Sequence, residues 1–200
     1  MDPITSLLDR IHGCRLCAEH LPHGPRPVLR LDPRARVLIA SQAPGRKVHE
    51  TGIPFNDVSG DRLRTWLGMT RDEFYDERRV AIVPMGFCYP GTGPSGDLPP
   101  RPECAPAWRA EALAHLTALE LTLVVGRYAQ AYHLPASTGT LAEAARAWQV
   151  SWPHTVLLPH PSPRNTLWLK RNPWYEAELL PILRARVRDV LRGTPDGGER

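Results

Sequence analysis

The sequence predicts an α/β protein, a three-layer α/β/α sandwich built on a central four-stranded parallel sheet. Two observations carry this. Four short apolar runs, at residues 36–40, 80–83, 121–125 and 156–158, are each bounded by turn-forming residues, as buried strands are. Segments with helical spacing lie between them, and strands separated by helices form crossover units whose parallel sheet is covered on both faces. Two hundred residues, 42% hydrophobic and 23% charged, bury one substantial core. A single domain is therefore expected over residues 1–192, with a disordered tail over 193–200.

The elements follow in order. Ile4, Leu7, Leu8 and Ile11 share one helical face, and this helix leads into Cys14 and Cys17. After a Pro- and His-rich loop comes the first strand, which Ser41-Gln42-Ala43-Pro44-Gly45 breaks. A loop runs to Asn56, and Ser59 is expected to cap a helix carrying Leu63, Trp66 and Leu67 that ends at Gly68. The second strand, 80–83, opens into residues 84–101, a long Pro/Gly-rich connection of the kind that is usually functional or flexible. Helices are expected over 103–116, from Tyr128 after the third strand, and over 141–148. An amphipathic helix over 174–191 closes the chain.

Composition narrows the partners. The longest apolar runs fall far short of a membrane span and the N-terminus carries no apolar signal core, so a cytosolic protein is expected. The net charge of +4, from 25 basic and 21 acidic residues, suits a polyanionic partner and permits nucleic acid. A monomer is expected.

Three stretches and four cysteines carry polar chemistry. In His160-Pro161-Ser162-Pro163-Arg164-Asn165, two prolines fix φ and remove two backbone donors, so the segment leaves the sheet as a preset loop. It presents His160, Ser162 and Arg164 beyond the carboxyl end of a strand, where open α/β sheets bind ligands. Read by its residues alone, the commoner reading is a proline-rich turn with a solvated histidine. Ser41, Ala43 and Gly45 make a tight turn that lets backbone N–H groups approach a ligand, or an ordinary strand-to-loop turn. Gly52-Ile53-Pro54-Phe55-Asn56-Asp57 supplies an aromatic ring and a carboxylate, which could instead be a core residue and a solvated acid near a helix start. The cysteines stand as Cys14-x2-Cys17, then Cys88 and Cys104. Four thiols in a cytosolic chain are expected to bind metal rather than form disulfides. Zinc and a [4Fe–4S] cluster both accept four thiolates, and the count does not choose between them.

Together these stretches resemble the uracil-DNA glycosylase superfamily, from Cys14 to about Asn172. The hexapeptide at His160 resembles its second catalytic motif in the form found in the single-strand-selective monofunctional branch, and residues 41–45 look like its first motif. The stretch from Gly52 to Gly60 and the cysteine spacing are similar to the iron–sulfur uracil glycosylases. The resemblance implies a monofunctional DNA glycosylase that hydrolyses the N-glycosidic bond of uracil or a related damaged base in single- or double-stranded DNA. Its alternative is a damaged-DNA-binding protein of the same fold with little or no turnover. His160 would act with Asp57 and with Gln42, which stands where relatives carry an acid or Asn. Ser41, Ala43, Pro44, Gly45, Phe55 and Asn56 would form the base pocket. Ser162, Arg164, Asn165, Leu167 and Lys170 would meet DNA, Leu167 as the wedge that replaces the extruded nucleotide. Trp168 and Leu169, beside it, could equally pack under the last helix. Cys14, Cys17, Cys88 and Cys104 would hold a [4Fe–4S] cluster in a structural role, with zinc the alternative. The Asn that reads uracil in relatives has no counterpart in residues 80–87, so the excised base stays open and Asn56 is the nearest substitute.

Overall fold

A computed structural model of the protein describes residues 2–94, 96–137 and 139–193. The expected strands form as β1 (Val37–Ala40) and β2 (Val80–Ile82), then, beyond a small antiparallel hairpin of β3 (Thr92–Gly93) and β4 (Gly96–Asp97), β5 (Leu121–Val125) and β6 (Thr155–Leu158). The four longer strands make one parallel sheet in the order β2-β1-β5-β6. Val37 pairs with Val80 on one side and Leu121 on the other. Nearly every strand residue is buried, because helices cover both faces.

The pleat divides the core. Val37 and Ile39 join a cluster with α3 (Val58–Leu67), α4 (Arg71–Tyr75) and α9 (Leu180–Arg192). Leu38 and Ala40 face the other way, onto α1 (Pro3–His12), α5 (Cys104–Ala114), α6 (Arg127–His133) and α7 (Leu141–Arg146). The three-layer α/β/α sandwich is therefore the observed architecture. Among the described residues no helix is long and apolar enough to cross a membrane.

Several boundaries differ from expectation. Asp57, not Ser59, caps α3: its Oδ1 accepts the Gly60 N–H at 2.9 Å, so Ser59 falls inside the first turn. Three short helices, α2 (Arg46–Thr51), α4 and α8 (Thr166–Arg171), occupy stretches in which no helix was expected. The helix expected over 141–148 stops at Arg146, and a 3-10 turn over Trp148–Val150 follows. The closing helix is interrupted by a π turn over Tyr175–Leu179. Pro181 at the start of α9 has no N–H to donate one turn back, which favours that local widening. Of the expected tail, Gly193 donates to Asp189 O at 3.1 Å, and 194–200 lie outside the described residues.

The strand order positions the site. The chain steps from β1 to β2 at one edge and then returns to lay β5 and β6 on the other side of β1. A crevice opens at such a switch point, beyond the carboxyl ends of the strands.

Candidate active site

A cavity of about 630 Å³ occupies that crevice, lined by the turn after β1, by Phe55 and Asp57, by the β3–β4 hairpin, by Arg127 and Tyr128 after β5, and by the loop after β6. In the first turn, Ser41 O and Gln42 O accept the N–H groups of Met85 and Gly86 at 2.8 and 3.0 Å, which prolongs the β1–β2 pairing. Ala43, Pro44 and Gly45 then line the cavity with little side chain. Gln42 Nε2 donates to Leu98 O at 3.1 Å. An amide carries no titratable proton, so Gln42 ties the turn to the hairpin and is placed as a strut.

Phe55 is held unusually firmly. Its φ of +52° is left-handed, a region that a bulky residue occupies only when its surroundings enforce it. Gly60 packs against the Phe55 carbonyl so closely that a Cβ there would overlap it, Arg64 reaches the same oxygen at 3.5 Å, and the Tyr75 hydroxyl donates to Pro54 O at 2.8 Å. The ring meets Phe74 edge-on, with centroids 6.1 Å apart. It is 9% exposed and lines the cavity while belonging to the core. Asn56 does not line the cavity among the described residues. Its Oδ1 accepts from Arg71 at 3.2 Å instead. Asp57 does line it, one carboxylate oxygen committed to the α3 cap.

The loop after β6 is knitted by its own polar groups. Asn165 Nδ2 donates to His160 O at 2.7 Å, Ser162 Oγ accepts the Arg164 N–H at 3.2 Å, and Arg62 from α3 clasps Ser162 O at 3.0 Å. The Ser162 N–H donates to His160 Nδ1 at 3.2 Å, which leaves the ring proton on Nε2. Burial lowers the His160 pKa, opposed by the nearby carboxylates of Asp57 and Asp97, so the imidazole is neutral at physiological pH and donates through Nε2. Arg164 and Asn165 line the cavity. Leu167 and Lys170 stand outside it on α8, both exposed, whereas Leu169 is buried and Trp168 packs against Trp174 and Tyr175.

Asp97 is the functional candidate that sequence reading missed. It lines the cavity from β4, and its carboxylate lies 3.2 Å from where a Cβ on Gly45 would sit. Burial raises its pKa, while Arg164, His160 and a hydrogen bond from Thr92 pull it down. The one signal available was that it is the only acid between Pro84 and Arg101.

The four cysteines converge elsewhere. Cys14, Cys17, Cys88 and Cys104 are free and line one apolar pocket with Ile11, Phe87 and Trp108. The Phe87 N–H donates to Cys104 Sγ at 3.3 Å, and the Arg26 amide points at Cys88. Burial pushes the Cys88 thiol up to about 12 and Cys104 to about 11, and the neighbouring sulfurs push the same way. Among the described residues no three His, Cys, Asp or Glu side chains are placed to hold a single metal ion.

One comparison with known proteins bears on this arrangement: residues 30–184 match the family model described as the Uracil DNA glycosylase superfamily. That span includes the whole sheet, both loops that bracket the cavity and the hairpin between them, and it covers well over half of the chain. The chain belongs to the uracil-DNA glycosylase superfamily, a superfamily of DNA glycosylases that act on DNA.

Proposed function

We propose that the protein is a monofunctional DNA glycosylase that takes uracil or a related damaged base out of the stack and hydrolyses its N-glycosidic bond. The single observation that carries this reading is the Ser162–His160 hydrogen bond, which makes a half-buried neutral imidazole a donor at a cavity wall. Extruding a nucleotide costs a few kcal/mol and favours damaged or unpaired bases. Phe55 stacks on the extruded base, a contact worth about 1–3 kcal/mol. As the bond breaks, negative charge grows on a base oxygen, and His160 Nε2–H stabilises it most in the transition state. Asp57 offsets the positive charge that develops on the sugar, as carboxylates do in glycoside hydrolysis. No lysine lines the cavity among the described residues, so no amine nucleophile is assigned and an uncut abasic strand is the product.

Cys14, Cys17, Cys88 and Cys104 fit a [4Fe–4S] cluster in this reading. Four soft sulfur donors line one apolar pocket, and such thiolates suit an iron–sulfur cluster and zinc alike. A cluster held there would staple the end of α1 to the long loop after β2, since glycosidic hydrolysis moves no net electrons. Zinc remains the alternative for this donor set.

The test is base release from single- and double-stranded oligonucleotides carrying uracil, hypoxanthine or xanthine. Release with an intact abasic strand supports the proposal. Tight binding of a damaged strand without release identifies the non-catalytic damage-binding alternative.

A further inference from the structure

We propose that Asp97 is the proton acceptor for the attacking water, a catalytic role distinct from that of Asp57. This rests on the glycosylase reading above. Four features of its placement carry it.

First, Asp97 sits where the two ligand-bearing loops meet. Its carboxylate touches the space above Gly45 in the turn after β1, and the guanidinium of Arg164, from the loop after β6, packs against the α-carbon of the adjoining Gly96. Any side chain at Gly96 would collide with Arg164. The Gln42–Leu98 hydrogen bond closes the third side. The hairpin thus sets its carboxylate on the wall of the cavity, where it stays open to water.

Second, the carboxylate is positioned by a relay that ends in the core. Thr92, the cross-strand partner of Asp97, hydrogen-bonds it, and the Thr92 hydroxyl is itself bonded to Tyr89. Tyr89 is fully buried and stacks on His23 at 5.3 Å. Third, Asp57 has already committed an oxygen to the α3 cap.

Fourth, the two tasks ask for different carboxylates. Balancing positive charge on the sugar requires a fixed anion. Accepting a proton is done best by a group whose pKa lies near the working pH, and Asp97 is the carboxylate that burial raises, facing Arg164, His160, Asp57 and Thr92.

The C1′–N bond breaks and its electron pair stays with the base, whose oxyanion His160 stabilises. A lone pair of the water oxygen forms the C1′–O bond while one water proton passes to the Asp97 carboxylate. The resulting carboxyl gives that proton to the departed base or to solvent, so one water is consumed and the free base and abasic sugar are formed.

The experiment compares single-turnover base release against pH for wild type, Asp97→Asn, Asp57→Asn, His160→Ala and Thr92→Val, with thermal melts on each. Asp97→Asn is expected to lower the rate by about 10²-fold without weakening DNA binding, and to abolish the limb on which the rate rises with pH. That limb survives in Asp57→Asn and His160→Ala. In Thr92→Val its midpoint moves to higher pH, because the lost hydrogen bond had favoured the carboxylate. If Asp97→Asn melts low, the Thr92→Val midpoint decides. A rate for Asp97→Asn within a few-fold of wild type, or an unmoved midpoint in Thr92→Val, overturns the assignment while leaving the glycosylase reading intact. A wild type that releases no base from any substrate rejects both.

Discussion

The backbone N–H of Ser162 donates to Nδ1 of His160 at 3.2 Å, one turn of chain holding its own histidine in a single tautomer. Pro161 and Pro163 on either side keep that amide in place. His160→Ala removes the Nε2 donor, and the single-turnover rate is expected to fall by about 10²–10³-fold, the usual cost of one oxyanion donor. Substrate affinity should change little, since the interaction strengthens in the transition state. An unchanged rate would reduce the loop to a structural turn.

Gly60 and Phe55 make a second close pair. The Phe55 carbonyl occupies the space that a Cβ at position 60 would need, and the contact is with backbone, which has little room to shift. Gly60→Ala is expected to destabilise the fold by about 1–3 kcal/mol or more, in the range of overpacked cores, and to displace the Phe55 ring. A lowered melting temperature together with weaker base release checks this. An unaltered melt would mean that the left-handed Phe55 backbone is not enforced by its neighbour.

What the sequence disclosed and what it hid have physical reasons. The sheet was legible because its strands are covered on both faces and read as short, largely apolar runs. Helices α2, α4 and α8, of five or six residues, are too short to display a repeat of 3.6. Asp57 and Ser59 are both good caps two positions apart, and composition alone does not choose the register between them. Asp97 was hidden because backbone pairing of Thr92–Gly93 with Gly96–Asp97 builds its hairpin inside a Pro/Gly tract that has no side-chain period. Its approach to Gly45 and His160 is wholly tertiary. The His160 loop was found because its chemistry lies in consecutive residues.

The cysteine pocket yields a compositional prediction. Protein purified without oxygen should be brown and contain about four irons per chain, the content of one cluster on four Cys ligands. Cys17→Ser should lose the metal and lower the melting temperature, because a structural site contributes its binding free energy to folding. Colourless wild type with one zinc would select the alternative.

His133 carries a pH prediction. Arg109 is buried, donates to Val83 O and Pro84 O at 3.0 Å each, and contacts His133 Nε2. Burial and that cation depress the His133 pKa to about 4, from an ordinary value of 6.5. Between these values the unfolded chain binds a proton that the folded protein refuses, so stability falls as pH drops from 6.5 toward about 4. His133→Gln keeps an acceptor for Arg109 without titrating. Urea unfolding at pH about 7.5 and about 5 should show a smaller acid loss in the variant than in wild type. Equal losses would place the acid sensitivity elsewhere.

The last prediction concerns the way a base leaves the stack. Helix α8 follows the His160 loop directly, and its three large apolar residues are sorted by direction. Leu169 is 9% exposed and Trp168 packs on the aromatic pair Trp174 and Tyr175, whereas Leu167 is 56% exposed. Leu167 therefore contributes little to the core, and it stands beside cationic residues that suit phosphates, Arg164 and Lys170. Apolar wedges of this kind enter between base steps and hold a nucleotide out of the duplex. Leu167→Ala is expected to leave the folding stability within about 0.5 kcal/mol of wild type, as exposed substitutions do. Base release from duplex should weaken, while release from single strands, where nothing has to be unstacked, stays near normal. Equal loss on both substrates with a lowered melt would make Leu167 a packing residue after all. Equal retention on both would assign the wedge to another side chain.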